Sequence, residues 1–133
     1  MSEQLARTFI DALHTLEETK DAGPLAALYT EDAKVGNLLV PDHFTGPEGA
    51  QKFWTEYRGT FDAARSEFRN VFATDAGAAL EWTTTGTGFE GGDFEYSGVT
   101  LLEFGGGKVS RSSAYFDPKA LGSQIKPPTS AAN

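Results

Sequence analysis

The sequence contains no cysteine and only two histidines. The first absence excludes disulfides, thiolate metal sites and cysteine nucleophiles together. The second excludes a histidine-rich metal centre. No apolar run approaches the roughly 20 residues needed to cross a bilayer. The opening stretch, MSEQLARTFIDALHTLEETK, mixes acids and bases throughout and carries no apolar core of a secretory signal. With a cysteine-free composition that suits a reducing compartment, the expectation is a cytoplasmic protein with no membrane partner. Bases are scarce too: eleven Lys and Arg stand against nineteen Asp and Glu, a net charge of −8. They are scattered from Arg7 to Lys126 without forming a stripe. A polyanion is repelled by such a field, so nucleic acid is not an expected partner. No cofactor is implied either. Gly86-Thr-Gly88 and Gly105-Gly-Gly107 fall between strands and open no helix, so no phosphate cradle is indicated.

What is present fits one domain, 133 residues being an ordinary domain length. Leu5, Phe9, Leu13 and Leu16 form one stripe of a first helix over about Glu3–Lys20. His14 lies off that stripe and is expected to be exposed. Pro24 suits the first turn of a short second helix presenting Leu25, Leu28 and Tyr29. After Asp32 the period becomes two, with Val35, Asn37 and Leu39 on one face of a strand. Thr45-Gly-Pro-Glu48 has the spacing of a capping box for a third, unusually aromatic helix carrying Phe53, Trp54 and Tyr57.

From Ser66 onward the pattern is a β-meander. Phe68, Asn70 and Phe72 share a face; Leu80, Trp82 and Thr84 share the next; Phe94, Tyr96, Thr100 and Leu102 the third. The last strand runs from Lys108 to Phe116 and its pattern leaves both faces open as the inner one. The domain is taken as residues 1–117, with an extended or disordered tail over 118–133. Helices followed by a meander bury their stripes only if the sheet curls over them. The predicted fold class is therefore α+β, three N-terminal helices packed in a strongly curved mixed or antiparallel sheet, cone-shaped around an apolar pocket. The other sheet face carries Thr83, Thr85, Val99, Leu101, Val109 and Tyr115 among charges. A half-apolar outer face predicts a homodimer through that face.

Several strings in this order are familiar. Leu25-Ala-Ala-Leu-Tyr29-Thr-Glu-Asp32-Ala-Lys-Val35, Phe44-Thr-Gly46-Pro-Glu-Gly-Ala50, Gly107-Lys-Val109 and Ala114-Tyr-Phe-Asp117 resemble the nuclear transport factor 2-like superfamily. Within it the chain is similar to the SnoaL-like group, relatives of polyketide cyclases and ketosteroid isomerase. The likeness covers residues 3–117. It implies the cone and a pocket, not a reaction, because the fold carries many functions. Ketosteroid isomerase, a standard case of pKa tuning, uses an aspartate base and an oxyanion hole of tyrosine and protonated aspartate. The resemblance aligns those roles with Asn37, Phe9 and Thr100. Asn37 takes no proton, Phe9 has no hydroxyl and Thr100 is no acid, so steroid isomerisation by that route is not expected. The same register turns Ser112, Ala114 and Phe116 inward.

The expected ligand-binding aromatics are Phe9, Tyr29, Phe53, Trp54, Tyr57, Trp82 and Phe116, with Asn37, Thr100 and Ser112 orienting the ligand. Flat aromatic faces suit a small hydrophobic or aromatic molecule. For proton transfer the candidates are His43, beside Asp42 in a loop near the pocket mouth, Asp32 at the rim, or a pocket tyrosine, Tyr29 or Tyr57. The resulting expectation is a pocket protein for an apolar or aromatic metabolite, with cofactor-free cyclase, isomerase or dehydratase chemistry. The alternative is an inert binding or dimerisation module. No metal is expected, because no ligand spacing supports one.

Overall fold

The structure, a computed structural model, describes residues 2–122. Helix α1 spans Ser2–Thr19. Its stripe is buried as the spacing requires, with Phe9, Leu13 and Leu16 joined by Ala6, Ile10 and Ala12. Helix α2 is one turn, Gly23–Ala26, opened by Pro24. Strand β1 covers Tyr29–Asn37 and β2 only Phe44–Thr45. Helix α3 follows over Gly46–Arg58. Then come β3 (Ala63–Ala73), β4 (Gly77–Thr87), β5 (Asp93–Gly105), β6 (Lys108–Phe116) and a short α4 (Pro118–Gly122). The expected extended tail is thus helical at its start; the rest of that expectation, 123–133, lies outside the described residues. Among the described residues no helix is long and apolar enough to cross a membrane.

The six strands form one mixed sheet in the order β2-β1-β6-β5-β4-β3. The meander β3 to β6 is antiparallel throughout, whereas β1 runs parallel to β6. The sheet is not closed, and β2 and β3 are its edges. Residues of α1, α2 and α3 share one core with Val35, Leu80, Leu102 and Val109, so the helices cover a single sheet face.

Three local readings are corrected. The capping box does not form: Thr45 is extended and its hydroxyl makes no cap bond. Thr45 pairs with Lys34 in the β1–β2 ladder, and its Oγ1 accepts a long 3.4 Å bond from Lys34 Nζ. The next residue, Gly46, has φ +71, and a Cβ there would lie 2.6 Å from the Glu31 carbonyl, so the chain enters α3 through a bend only glycine makes. On β3 the alternation breaks at an irregularity between Phe68 and Asn70. A bulge moves all later side chains to the other face; Val71 and Ala73 pack on the core, while Asn70 and Phe72 are exposed. A second irregularity beside Glu103 and Phe104 does the same for β6. It lets Val109, expected outside, be fully buried on the same side as Ser112.

Candidate functional site

Two clusters of aromatic side chains fill the space between helices and sheet. In the first, Phe9 meets the edges of Tyr29 and Trp54, and Trp54 meets Phe53 with ring centroids 4.9 Å apart. Edge-to-face pairs of this kind add to area burial. The Tyr29 hydroxyl is the polar centre. It accepts the Trp54 Nε1–H at 3.0 Å and shares a 2.7 Å hydrogen bond with Ser112 Oγ. Burial pushes the Tyr29 phenol up to about 12, against the opposing pull of its Ser112 and Trp54 bonds. Five expected ligand-binding residues (Phe9, Tyr29, Phe53, Trp54 and Ser112) are therefore brought together, with their polar atoms spent on one another.

The second cluster gathers Phe61, Trp82, Phe94 and Tyr96, flanked by half-buried Tyr57, Ala64, Phe68, Ala114 and Phe116. Tyr57 links the two, meeting Trp54 edge-on at 5.5 Å and Phe61 at 5.4 Å. Trp82 Nε1–H donates to Thr100 Oγ1 at 2.9 Å, so the structure brings Trp82, Thr100, Tyr57 and Phe116 together here. The Tyr57 and Tyr96 hydroxyls lie 3.3 Å apart. Burial raises both phenols, Tyr57 to about 12 and Tyr96 well above its ordinary value.

A carboxylate that the sequence reading passed over stands beside this cluster. Glu17 on α1 is 3% exposed. Its Oε1 accepts the Ser66 backbone N–H at 3.0 Å, and its Oε2 has no hydrogen-bond partner among the described residues. Burial raises the Glu17 carboxyl, the Ser66 bonds and the charges of His14 and Arg65 drawing it back in part. Its charge is near enough to disfavour the ionised forms of Tyr57 and Tyr96. The Ser66 hydroxyl bonds Thr84 Oγ1 at 2.6 Å, and Thr84 in turn stabilises the Tyr57 phenolate. A line of hydroxyls therefore leads from Glu17 across β3 and β4 to the tyrosine pair. The available signal was helical spacing: Glu17 stands four residues beyond Leu13, in line with Phe9 and Leu13. His14 is correspondingly not exposed; half-buried, its Nε2–H donates to the Ser66 carbonyl at 2.9 Å.

Arg58, at the end of α3, is also buried. Its Nε, Nη1 and Nη2 donate to the carbonyls of Glu17, Phe61 and Asp62. It ties the last turn of α1 to the segment that leads from α3 into β3.

The remaining expected site residues lie elsewhere. His43 is exposed in the β1–β2 loop and sits edge-on to Phe44 at 4.8 Å. Asp32 is exposed within β1, where it accepts a bond from Thr30 Oγ1 at 3.0 Å. Asn37 does not orient anything inside: its Oδ1 accepts the backbone N–H groups of Leu39 and Val40 at 2.9 and 3.0 Å. That is an Asx-type turn, the ordinary use of asparagine where a strand ends. A surface depression of about 490 Å³ is lined by Gln4, Leu5, Thr8, Asp75, Phe104 and the Gly105–Gly107 turn, away from every expected site residue.

Helices on one face of a mixed sheet with this strand order define a nuclear transport factor 2-like α+β fold. The chain belongs to the SnoaL-like domain family, which it matches over residues 6–112. No curated protein sequence matches the chain. Among solved structures, an NTF2-like protein from Anabaena variabilis superposes with a TM-score of 0.78 at 17% identity, over 90% of this chain and 92% of the other. TerC, crystallised with polyporic acid, gives 0.77 at 14% identity, over 90% and 95%. A ketosteroid isomerase-like protein from Catenulispora acidiphila, in complex with trimethylamine, gives 0.76 at 15% identity, over 94% and 95%.

Proposed function

We propose that this protein binds a small apolar or aromatic molecule among the side chains of the second cluster, between Trp82, Tyr96, Tyr57 and Phe116. The observation that carries the reading is the Tyr57–Tyr96 hydroxyl pair, 3.3 Å apart and set among apolar rings beside a buried carboxylate. Few polar groups converging within an apolar wall are what orient a bound molecule. Tyr57 and Phe116 are only half-buried, so the cluster reaches the surface there. Structures of this fold that hold trimethylamine or polyporic acid support the same reading. Cofactor-free acid–base chemistry at this place falls to Glu17, with the tyrosine hydroxyls as hydrogen-bond donors. His43 and Asp32 serve only a reaction at the surface, since both are exposed.

The test is tryptophan fluorescence during titration with planar aromatic probes. Wild type is expected to respond, and Trp82→Phe to lose most of the response while Trp54→Phe keeps it. Silence across a broad aromatic library would mean that the interior is an ordinary core and the protein an inert module.

The outer sheet face supports a second copy as a further partner. Leu101 and Tyr115 are 40% and 42% exposed, and Phe72 is 70% exposed. The bulge in β3 sends Phe72 to this face, adding to the apolar surface expected from the strand pattern.

A further inference from the structure

We propose that Glu17 sets the charge selectivity of this interior, admitting uncharged planar molecules with a hydrogen-bonding oxygen and rejecting anions of the same shape. The proposal rests on the small-molecule reading above and adds the class of ligand. A carboxylate 3% exposed with one oxygen unpartnered is an expensive arrangement for a purely structural residue. Oε1 is held by the Ser66 N–H, while Oε2 has no hydrogen-bond partner among the described residues. Glu17 acts electrostatically on both Tyr57 and Tyr96. A ligand anion seated at those hydroxyls meets the same repulsion, strengthened by burial.

The nearby cations offset this field only in part. Arg58 on α3, its three nitrogens on backbone carbonyls, keeps its charge and favours an anion at Tyr57 less than Glu17 opposes it. Arg65 on β3 reaches outward to Glu18 at 3.3 Å. His14 on α1 is engaged with the Ser66 carbonyl. Among the described residues none of the three closes an ion pair with Glu17. The hydroxyls near the carboxylate are Ser66 on β3, itself bonded to Thr84 on β4, and Tyr57 on α3 and Tyr96 on β5, whose ionisation the Glu17 charge disfavours. These donate to a neutral carbonyl or phenol oxygen without changing charge.

The experiment compares 2-naphthol with 2-naphthalenesulfonate, two probes with one ring system and different charge, by calorimetry and tryptophan fluorescence. At about pH 8 wild type is expected to prefer the naphthol by roughly tenfold or more, a difference of about 1.4 kcal/mol. Glu17→Gln, isosteric and uncharged, is expected to reduce the preference to within about threefold. The sulfonate stays ionised at every pH, so its affinity for wild type is expected to rise as acid protonates Glu17. That arm is repeated in His14→Gln, which removes the neighbouring imidazole and needs no change at Glu17. An unchanged preference in Glu17→Gln, or a flat pH response in His14→Gln, overturns the proposal and leaves the small-molecule reading standing. Binding of neither probe to wild type overturns both.

Discussion

The backbone N–H of Ser66 donates to Glu17 Oε1 across 3.0 Å, joining α1 to β3 over 49 residues of sequence. The carboxyl it holds is raised by burial. A raised acid binds its proton more readily in the native state, so native stability from this group is greatest below the unfolded carboxyl range. It is lost as pH rises through the raised native value. Urea unfolding of wild type and Glu17→Gln should therefore diverge with pH, wild type gaining relative to the variant on acidification. A constant difference between the two would show that Glu17 is not titrating in that window.

The four tyrosines should ionise in two groups. Tyr115 is exposed and its phenol lowered, chiefly by the Ser113 hydroxyl and by Arg111. Burial holds Tyr29 and Tyr57 up at about 12, and Tyr96 higher than its ordinary value. Raised phenols contribute stability that is complete below the unfolded tyrosine range and lost as pH climbs through about 10 to 12. Absorbance near the tyrosinate band is expected to show one early proton, absent in Tyr115→Phe. The other three should appear together with loss of circular dichroism. Early ionisation that survives in Tyr115→Phe would contradict the assignment.

Tyr29→Phe removes the oxygen that serves both Trp54 and Ser112. Two buried polar groups then lose their partner, at a cost of about 1–3 kcal/mol each before relaxation. The urea midpoint should fall without a change of slope. Ser112→Ala in the same background should recover part of the loss, because it removes one of the stranded groups. No recovery would mean that the Ser112 hydroxyl finds another partner.

If two copies meet through the outer sheet face, Leu101→Lys should yield a monomer. Sedimentation at several concentrations distinguishes the states, with the exposed Leu39 on the β1–β2 loop changed to Lys as a control. A wild-type protein that is monomeric at every concentration removes this partner.

Gly98 sits at the centre of β5 against the Trp82 ring; a Cβ there would come within 2.6 Å of the ring and 2.5 Å of the Tyr115 carbonyl. Gly98→Ala should cost about 1–3 kcal/mol as an overpacking substitution and shift Trp82 emission by moving its ring. Unaltered emission would place the strain elsewhere.

Much of this architecture was legible in the chain. The stripe of Phe9, Leu13 and Leu16 marked α1, and the alternation of Leu80, Trp82 and Thr84 and of Phe94, Tyr96, Thr100 and Leu102 marked the inner sheet face. Those positions repeat at the period of their element, and burial of one face makes that period a physical requirement. The site was half legible. Trp82, Tyr57 and Phe116 come together in one cluster, whereas His43, Asp32 and Asn37 are turned to the surface or to a turn. Local spacing does not report which loop residues face inward.

What the sequence determined by itself was the element order, the inner face of each regular strand and the aromatic content of the interior. Those follow from local geometry and from the cost of leaving apolar area in water. Tertiary structure alone decided the rest. Bulges in β3 and β6 reversed Phe72 and Val109, because register depends on the partner strand rather than on local period. Glu17 became the buried acid because β3 brought the Ser66 N–H to it, and the tyrosine pair formed because α3 and β5 met. Those partners come from distant parts of the chain, so only packing sets the environment of each group, and environment sets its charge.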